Sequence, residues 1–248
     1  MLERHVADGV HRLTHAHVNC YLIEGDGGRL TLVDAGLPAF WPLLAQAVRE
    51  LGRRPKDVAA LVLTHAHFDH VGVAARLQDR LGLPVWAHED ERYLAAHPYR
   101  YAHENPRALY PLRHPRAIPI LAAIARAGAL RVKGVSGTLA LSPGEVLDVP
   151  GRPRVVLSPG HTFGHCALHL PDRDALISGD ALVTLDPYTA RTGPRIIAGA
   201  ATADSAMALR SLDALAQTGA RVVLPGHGET WQQGVVAAVE HARAAGPA

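Results

Sequence analysis

The chain has 248 residues, 48% of them apolar and 19% charged, enough to bury a substantial core without disulfide support. Twenty-five Lys and Arg against 23 Asp and Glu leave +2, too little global charge to argue for nucleic acid or an anionic membrane as a partner. Cys20 and Cys166 are the only cysteines, which excludes a disulfide framework or a Cys-rich zinc module and fits a reducing compartment; both read as small core residues. The opening MLERHVADGV lacks the apolar run of a secretory signal, and no stretch approaches the ~18 uncharged apolar residues of a membrane span, so a cytoplasmic protein with no membrane partner is expected.

In chain order, short runs rich in Val, Leu and Ile alternate with longer stretches of helical spacing. NCYLIE at 19–24 and LTLVD at 30–34 read as buried strands, and a helix is predicted over Phe40–Leu51. ALVL at 60–63 is the next strand, ahead of a helix over Val71–Leu81. RVVL at 154–157, CALHL at 166–170 and ALIS at 175–178 follow, and the PDRD turn at 171–174 predicts a hairpin, so the sheets are not purely parallel. A helix over Thr202–Gln217, capped by Asp204 or Thr202, stops before Gly219; RVVL at 221–224 and a helix over Val235–Ala244 complete the pattern. No Ser-rich or Pro-rich linker interrupts it, which predicts one α/β domain over 1–248 with mixed sheets. VVLSPGHT at 155–162 echoes VVLPGHGE at 222–229, hinting at two halves of similar build.

Histidine is the compositional outlier, with 16 copies, and it clusters. Thr64-His65-Ala66-His67-Phe68-Asp69-His70 sets three imidazoles and a carboxylate directly after a buried strand. From the chain's own composition, HxHxDH would arise somewhere by chance with a probability of about 0.4%. On one helix His65 and His70 would diverge by about 140°, so these groups converge only on a loop at a strand end, where α/β sheets bind ligands. Three further strands empty into a polar residue: RVVL through Ser158-Pro159-Gly160 into His161, ALIS through Gly179 into Asp180, and RVVL through Pro225-Gly226 into His227. Five His and two Asp are too many ligands for one tetrahedral zinc and about right for two metals sharing a carboxylate. Taken singly, Asp69 also reads as a helix N-cap and His161 or His227 as turn histidines. His88 reads as a helix-start residue, and His5, His11, His15, His17 and His241 as surface histidines.

HAHFDH, SPGHT, SGD and PGHGE, in that order and across most of the chain, resemble the metallo-β-lactamase superfamily of metallohydrolases. The resemblance implies an αββα four-layer sandwich with a two-metal site at the sheet edges. By position, it implies that His65, His67 and His161 hold the first metal and Asp69, His70 and His227 the second, with Asp180 bridging them. Zinc is the favoured metal, with Mn or Fe as alternatives. Asp34, in TLVDAG, matches a family aspartate behind the metal loop and is expected to hold a ligand histidine by a hydrogen bond; His165 is expected to play a supporting rather than a ligating part. Asp69 and Asp180 are then the catalytic carboxylates, with the metals lowering the pKa of a bound water so that no side-chain nucleophile is needed.

Among substrates, a β-lactam is disfavoured, because Asp180 stands where the true lactamases of the superfamily lack a bridging aspartate. PGHTFGH around His161 resembles the glyoxalase II-like branch, although only 21 residues follow His227, without room for that branch's helical substrate domain. A small thioester or lactone, reached by a metal-bound hydroxide, is the first expectation. A phosphodiesterase or nuclease, a mononuclear-iron persulfide dioxygenase and a non-catalytic binding protein are the competing ones.

Charge is unevenly spread. Residues 92–133 hold eight basic residues and one acid, Glu104, for +7, leaving −5 elsewhere. Five prolines between 98 and 119 deny this stretch a long helix before Ile120, and four of the six tyrosines lie in it. It is expected to be an insertion or lid over the metals, with Tyr99, Tyr101 and Arg113 touching an anionic small-molecule substrate; an Arg-rich solvated face or a homodimer contact is the alternative.

Overall fold

The computed structural model describes residues 1–248, and the first 141 of these build one sheet. Its strands lie in chain order: β1 (Leu2–Ala7), β2 (Val10–His15), β3 (Val18–Glu24), β4 (Leu30–Val33), β5 (Val58–Val62), β6 (Val85–His88) and β7 (Leu139–Leu141). The first four pair antiparallel and the last four parallel. Helix α1 (Phe40–Glu50) joins β4 to β5, and α2 (Ala74–Leu81) joins β5 to β6. The long return from β6 to β7 carries α3 (Arg92–Ala96), α4 (Tyr110–Arg113) and α5 (Ile118–Arg126).

The second sheet has the order β13-β10-β9-β8, from β8 (Arg154–Leu157), β9 (Cys166–Leu170), β10 (Ala175–Gly179) and β13 (Val222–Pro225). A ribbon of β11 (Val183–Leu185) and β12 (Thr192–Arg195) stands apart, and α6 (Ser205–Ala216) and α7 (Val235–Ala245) flank β13 in sequence. The hairpin expected at PDRD is the antiparallel β9–β10 pair, with Asp174 at φ 49° closing the turn.

Side chains alternate across a strand, and in these runs both faces are apolar, so each sheet is covered twice. Cys20 and Leu22 of β3 pack with Phe40, Leu44 and Val48 of α1, whereas Tyr21 and Ile23 turn to the other sheet. There they meet Leu168 of β9 and Ile177 of β10, while Leu176 and Val223 face Leu212 and Val239 of the last two helices. Three cores thus separate four layers, helix, sheet, sheet and helix. The free thiols of both cysteines lie buried among them, as expected.

Several details depart from the sequence reading. Strands β1 and β2 escape a hydrophobic scan because their buried polar side chains are matched by charge: Arg12 bonds Glu3 at 2.6 Å and also reaches Glu229. His11, expected at the surface, is fully buried, with its ring on Glu24 at 3.2 Å and on the backbone N–H of His5 at 3.1 Å. Helix α2 begins at Ala74 rather than Val71, because the N–H groups of Gly72 and Val73 are engaged by Gly36 and Ala35 beside β4. The two echoing segments are not two halves; they are β8 and β13, the opposite edges of one sheet.

Candidate metal centre

The HxHxDH loop leaves β5 and is fastened from below by Asp34 at the end of the neighbouring β4. Asp34 Oδ1 accepts from the Thr64 backbone N–H at 2.8 Å, and Oδ2 accepts from the Thr64 hydroxyl at 2.9 Å and from His70 Nδ1 at 2.9 Å. Its φ of 60° aims the carboxylate, a backbone conformation that Asp tolerates better than most residues. Because the Thr64 hydroxyl is spent on Asp34, it can only accept from His65 Nδ1, at 3.1 Å. Thr202 likewise donates to Ile197 O and accepts from His161 Nδ1 at 3.3 Å. His227 Nδ1 donates to the carbonyl of His17 at 2.7 Å, at the β2–β3 hairpin tip, where Ala16 and His17 both have positive φ. Four of the five imidazoles therefore give Nδ1 to a fixed acceptor and turn Nε2 inward, the atom each would offer a cation.

Those inward-facing nitrogens converge on Asp180, delivered by β10. Its Oδ2 lies 3.3 Å from His227 Nε2, 3.4 Å from His161 Nε2, 3.5 Å from His70 Nε2 and 3.7 Å from His65 Nε2. His67 presents Nδ1 to His161 Nε2 at 3.0 Å, and Asp69 lies 3.4 Å from His227 Nε2. Glycine makes the approach feasible: a Cβ at Gly226 would fall 2.1 Å from Asp180 Oδ1. Within the buried cluster, Nε2 of His65, His67 and His70 and Oδ1 of Asp180 have no hydrogen-bond partner. Such orphaned buried atoms are costly unless something satisfies them. Three overlapping groups, His65/His67/His161, His65/His70/Asp180 and Asp69/His70/His227, each keep their donor atoms within 4.8 Å of one another. Adjacent corners of a tetrahedron with ~2.0–2.1 Å metal–nitrogen bonds are about 3.3 Å apart, so the residues present fit divalent cations.

Electrostatics splits the imidazoles into two sets. Burial disfavours charge on all of them, and it holds His65 and His67 well below the usual histidine range and His161 at about 4. At His70 the same burial is outweighed by Asp180 and Asp34, which lift the pKa well above that range. At His227 burial is outweighed by Asp180 and Asp69, and the pKa is pushed up to about 10. Asp180 answers in kind: burial alone would raise it, but His227 and His70 hold it well below the usual carboxylate range. Without a cation, the cluster near neutral pH is two carboxylates balanced by two imidazolium ions.

His165, placed by the sequence reading beside the metals, has both nitrogens occupied. Its Nε2 accepts from the backbone N–H groups of Asp180 and Ala181 at 3.0 and 3.2 Å, and its Nδ1 bonds the Ser158 hydroxyl at 2.8 Å. Burial keeps it neutral, with a pKa lowered to about 3. His88 caps the short turn after β6, accepting from Asp90 N, as expected of a helix-start residue.

Glu91 was not foreseen. Its Oε2 accepts from Ala66 N at 2.8 Å and its Oε1 from Gly164 N at 3.0 Å, tying the two histidine loops together, and burial raises its pKa. In the sequence it hides in the run Glu89-Asp90-Glu91, which reads as a solvated helix start; only an exposed–exposed–buried pattern against the following Leu94 could have singled it out.

The basic segment forms the roof. Tyr101 packs on His67 with ring centroids 4.0 Å apart and planes tilted by 38°, Arg107 lies over Tyr101 at 3.9 Å, and the lone acid Glu104 pins the roof by accepting from Ser205 N at 2.7 Å. Beneath it a cavity is walled by Phe68, Tyr101, Leu121, Ile124, Pro187 and Tyr188 over Asp69 and Asp180. Only about 30 Å³ of it is open to the centre of a water-sized sphere, room for roughly two waters. Of the expected substrate contacts, only Tyr101 borders this cavity. Tyr99 packs outside it, donating to Ala129 O and accepting from Val132 N, both at 2.8 Å, because its ring stacks on the far side of Phe68. Arg113 lines a different hollow, since α4 carries it to the outer edge of the roof.

Comparison with known proteins agrees with this geometry. The family model "Metallo-beta-lactamase superfamily" matches residues 13–227. The probable metallo-hydrolase YflN of Bacillus subtilis (strain 168) is 26% identical over 197 residues, covering 73% of this chain and 66% of its own. A hydroxyacylglutathione hydrolase of Ruegeria pomeroyi is 33% identical over 167 residues, covering 66% of this chain and 48% of its own. The chain thus spans about two thirds of the first relative's length and about half of the second's. The solved structure of TTHA1623 in a di-iron-bound form superposes with a TM-score of 0.64 at 29% identity, covering 91% of this chain and 95% of that one.

Proposed function

The chain belongs to the metallo-beta-lactamase superfamily of metal-dependent hydrolases, and from that premise we propose that it is a dinuclear enzyme cleaving a small thioester or lactone. One observation carries the reading: five imidazoles and two carboxylates from four strand ends gather in one buried cluster, with four imidazole Nε2 atoms 3.3–3.7 Å from Asp180 Oδ2. His65, His67 and His161 would hold one cation and Asp69, His70 and His227 the other, with Asp180 shared. Two such cations supply an activated water at neutral pH and positive charge for the attacked oxygen and the leaving group.

The protein's own residues supply orientation and exclusion. Asp69, on the cavity wall, is placed to accept a hydrogen bond from the attacking water. Burial raises the pKa of Tyr188 well above its ordinary value, so its phenol keeps its proton and can donate to the substrate carbonyl. Phe68, Leu121, Ile124 and Ile197 offer an apolar wall for an acyl group. The Ruegeria relative's named substrate class, an S-acyl thiol, supports the thioester side of the proposal. Five imidazoles and two carboxylates suit zinc, manganese or iron; zinc is our first expectation, and the di-iron-bound relative supports iron as the second.

Metal analysis of the purified protein, followed by a panel of thioesters, lactones and phosphodiesters, tests this. Close to two metals per chain with turnover of a thioester or lactone is expected. Turnover confined to phosphodiesters, or full activity with a single metal, would overturn it.

A further inference from the structure

Beside the metal cavity, between the outer edge of the roof and the β11–β12 ribbon, lies a second, open hollow of about 520 Å³. Arg113 and Arg116 reach it from the roof, and Arg191 and Arg195 from the ribbon, with Thr189 and Thr192 between them and no acidic residue on its wall. Arg113, Arg116 and Arg191 are exposed and make neither an ion pair nor a side-chain hydrogen bond with the protein. The one nearby acid is already committed: buried Asp186 accepts from Tyr188 N at 2.9 Å and from the Thr189 hydroxyl at 2.7 Å. Arg195 feels the charge of Asp186, but the other three guanidinium groups, which cannot lose their charge, face this space without a counterion from the chain.

The position is as informative as the charge. Asp186 braces the ribbon's loop, in which Pro187 and Tyr188 line the metal cavity and Thr189, Ala190 and Arg191 line the hollow. A ligand spanning that loop would place one end over Asp69 and Asp180 and the other among the arginines. Four arginines at one hollow, on a chain whose overall charge is only +2, make a positive field that is local and too short to follow a nucleic-acid backbone. Planar guanidinium groups at this density match phosphate oxygens two at a time.

We propose that this hollow binds a phosphate or pyrophosphate group of a small molecule, the charged and non-reacting end of the substrate whose acyl end enters the metal cavity. The assignment of the acyl end rests on the hydrolase reading above; the anion site itself does not.

The test is calorimetric titration of the metal-loaded full chain with inorganic pyrophosphate. Arg113→Ala/Arg191→Ala is the informative variant, because both residues are exposed and hold nothing in place, whereas Arg195 donates to Thr192 O and Gly193 O. At roughly tenfold per charge-assisted contact, the double variant should raise Kd about a hundredfold. Asp180→Ala, which disturbs the metals, should still bind. Three results would overturn the proposal: no binding to the wild type, binding lost in Asp180→Ala but kept in the arginine variant, or a 12-nucleotide RNA binding a hundredfold tighter than pyrophosphate. Pyrophosphate binding without thioester or lactone turnover would sink the hydrolase reading and leave the anion site standing, and the converse result would do the opposite.

Discussion

Two charged pockets lie on either side of the 186–191 loop, and they are built differently. In the histidine cluster, four of five imidazoles give their outer nitrogen to a fixed acceptor, the carboxylate that collects them is buried, and the backbone behind it is glycine. In the arginine hollow, three of the four side chains hold no partner and lie in water. The difference reflects the cost of ordering: a metal shell tolerates errors of tenths of an ångström, so its ligands are locked before binding, whereas long cations can order around a solvated anion when it arrives.

The sharpest way to break the contrast is to unlock the buried side. Asp180→Ala removes the atom on which four imidazoles converge and should cost far more than the 10 to 100-fold typical of outer partners, with loss of metal measured by elemental analysis. Full turnover in that variant would mean the cluster is not the reaction centre. Asp34→Asn keeps the left-handed backbone but weakens the bond to His70, and should lower metal affinity or rate by about 10 to 100-fold. If only the melting temperature falls, Asp34 is a turn residue and nothing more.

Proton linkage sharpens the same point. A protonated imidazole cannot ligate, so loading the cluster near pH 7.5 should release about two protons per chain, from His70 and His227, seen by calorimetry in buffers of different ionisation enthalpy. Metal affinity should then rise with pH up to about 10. For the metal-free protein the sign reverses: His227 has a folded pKa of about 10 against 6.5 unfolded, so its contribution is complete below 6.5 and disappears as pH rises through 10. Metal-free melting temperature should fall over that window and the metal-loaded value should not. A smaller effect belongs to Glu91→Gln. One of its two backbone donors would face an amide donor instead, costing about 1–3 kcal/mol, a drop of several degrees with both histidine loops still able to bind metal.

Much of the buried side was legible in the sequence, and the reason is chemical. Residue types able to ligate a metal are few, so HAHFDH, His161, Asp180 and His227 could be read as one cluster with their order intact, and the apolar runs before them announced β5, β8, β10 and β13. Asp34 could be read only through family resemblance, and Glu91 not at all, because a carboxylate that accepts from two loop amides looks in sequence like any surface acid. The roof was half legible: its prolines and net charge marked it out, but which arginine meets which cavity depends on how α4 turns, and that is set by Tyr110 and Glu104 contacting residues about a hundred positions or more away. Strands β1 and β2 were invisible for a related reason, since Arg12 and His11 are buried by pairing rather than by hydrophobicity.

The β2–β3 hairpin tip has a consequence for anyone editing this protein. Ala16 and His17, both at positive φ, form the kind of two-residue turn that Asn-Gly or Gly-Gly would form with less strain. Ala16→Gly should therefore relieve about 1 kcal/mol of backbone strain. Yet the tip delivers the His17 carbonyl to His227, so a relaxed turn would gain heat resistance while letting the His227 ring swivel. An engineer ranking substitutions by thermostability alone would accept this one, and an engineer assaying bound metal would reject it.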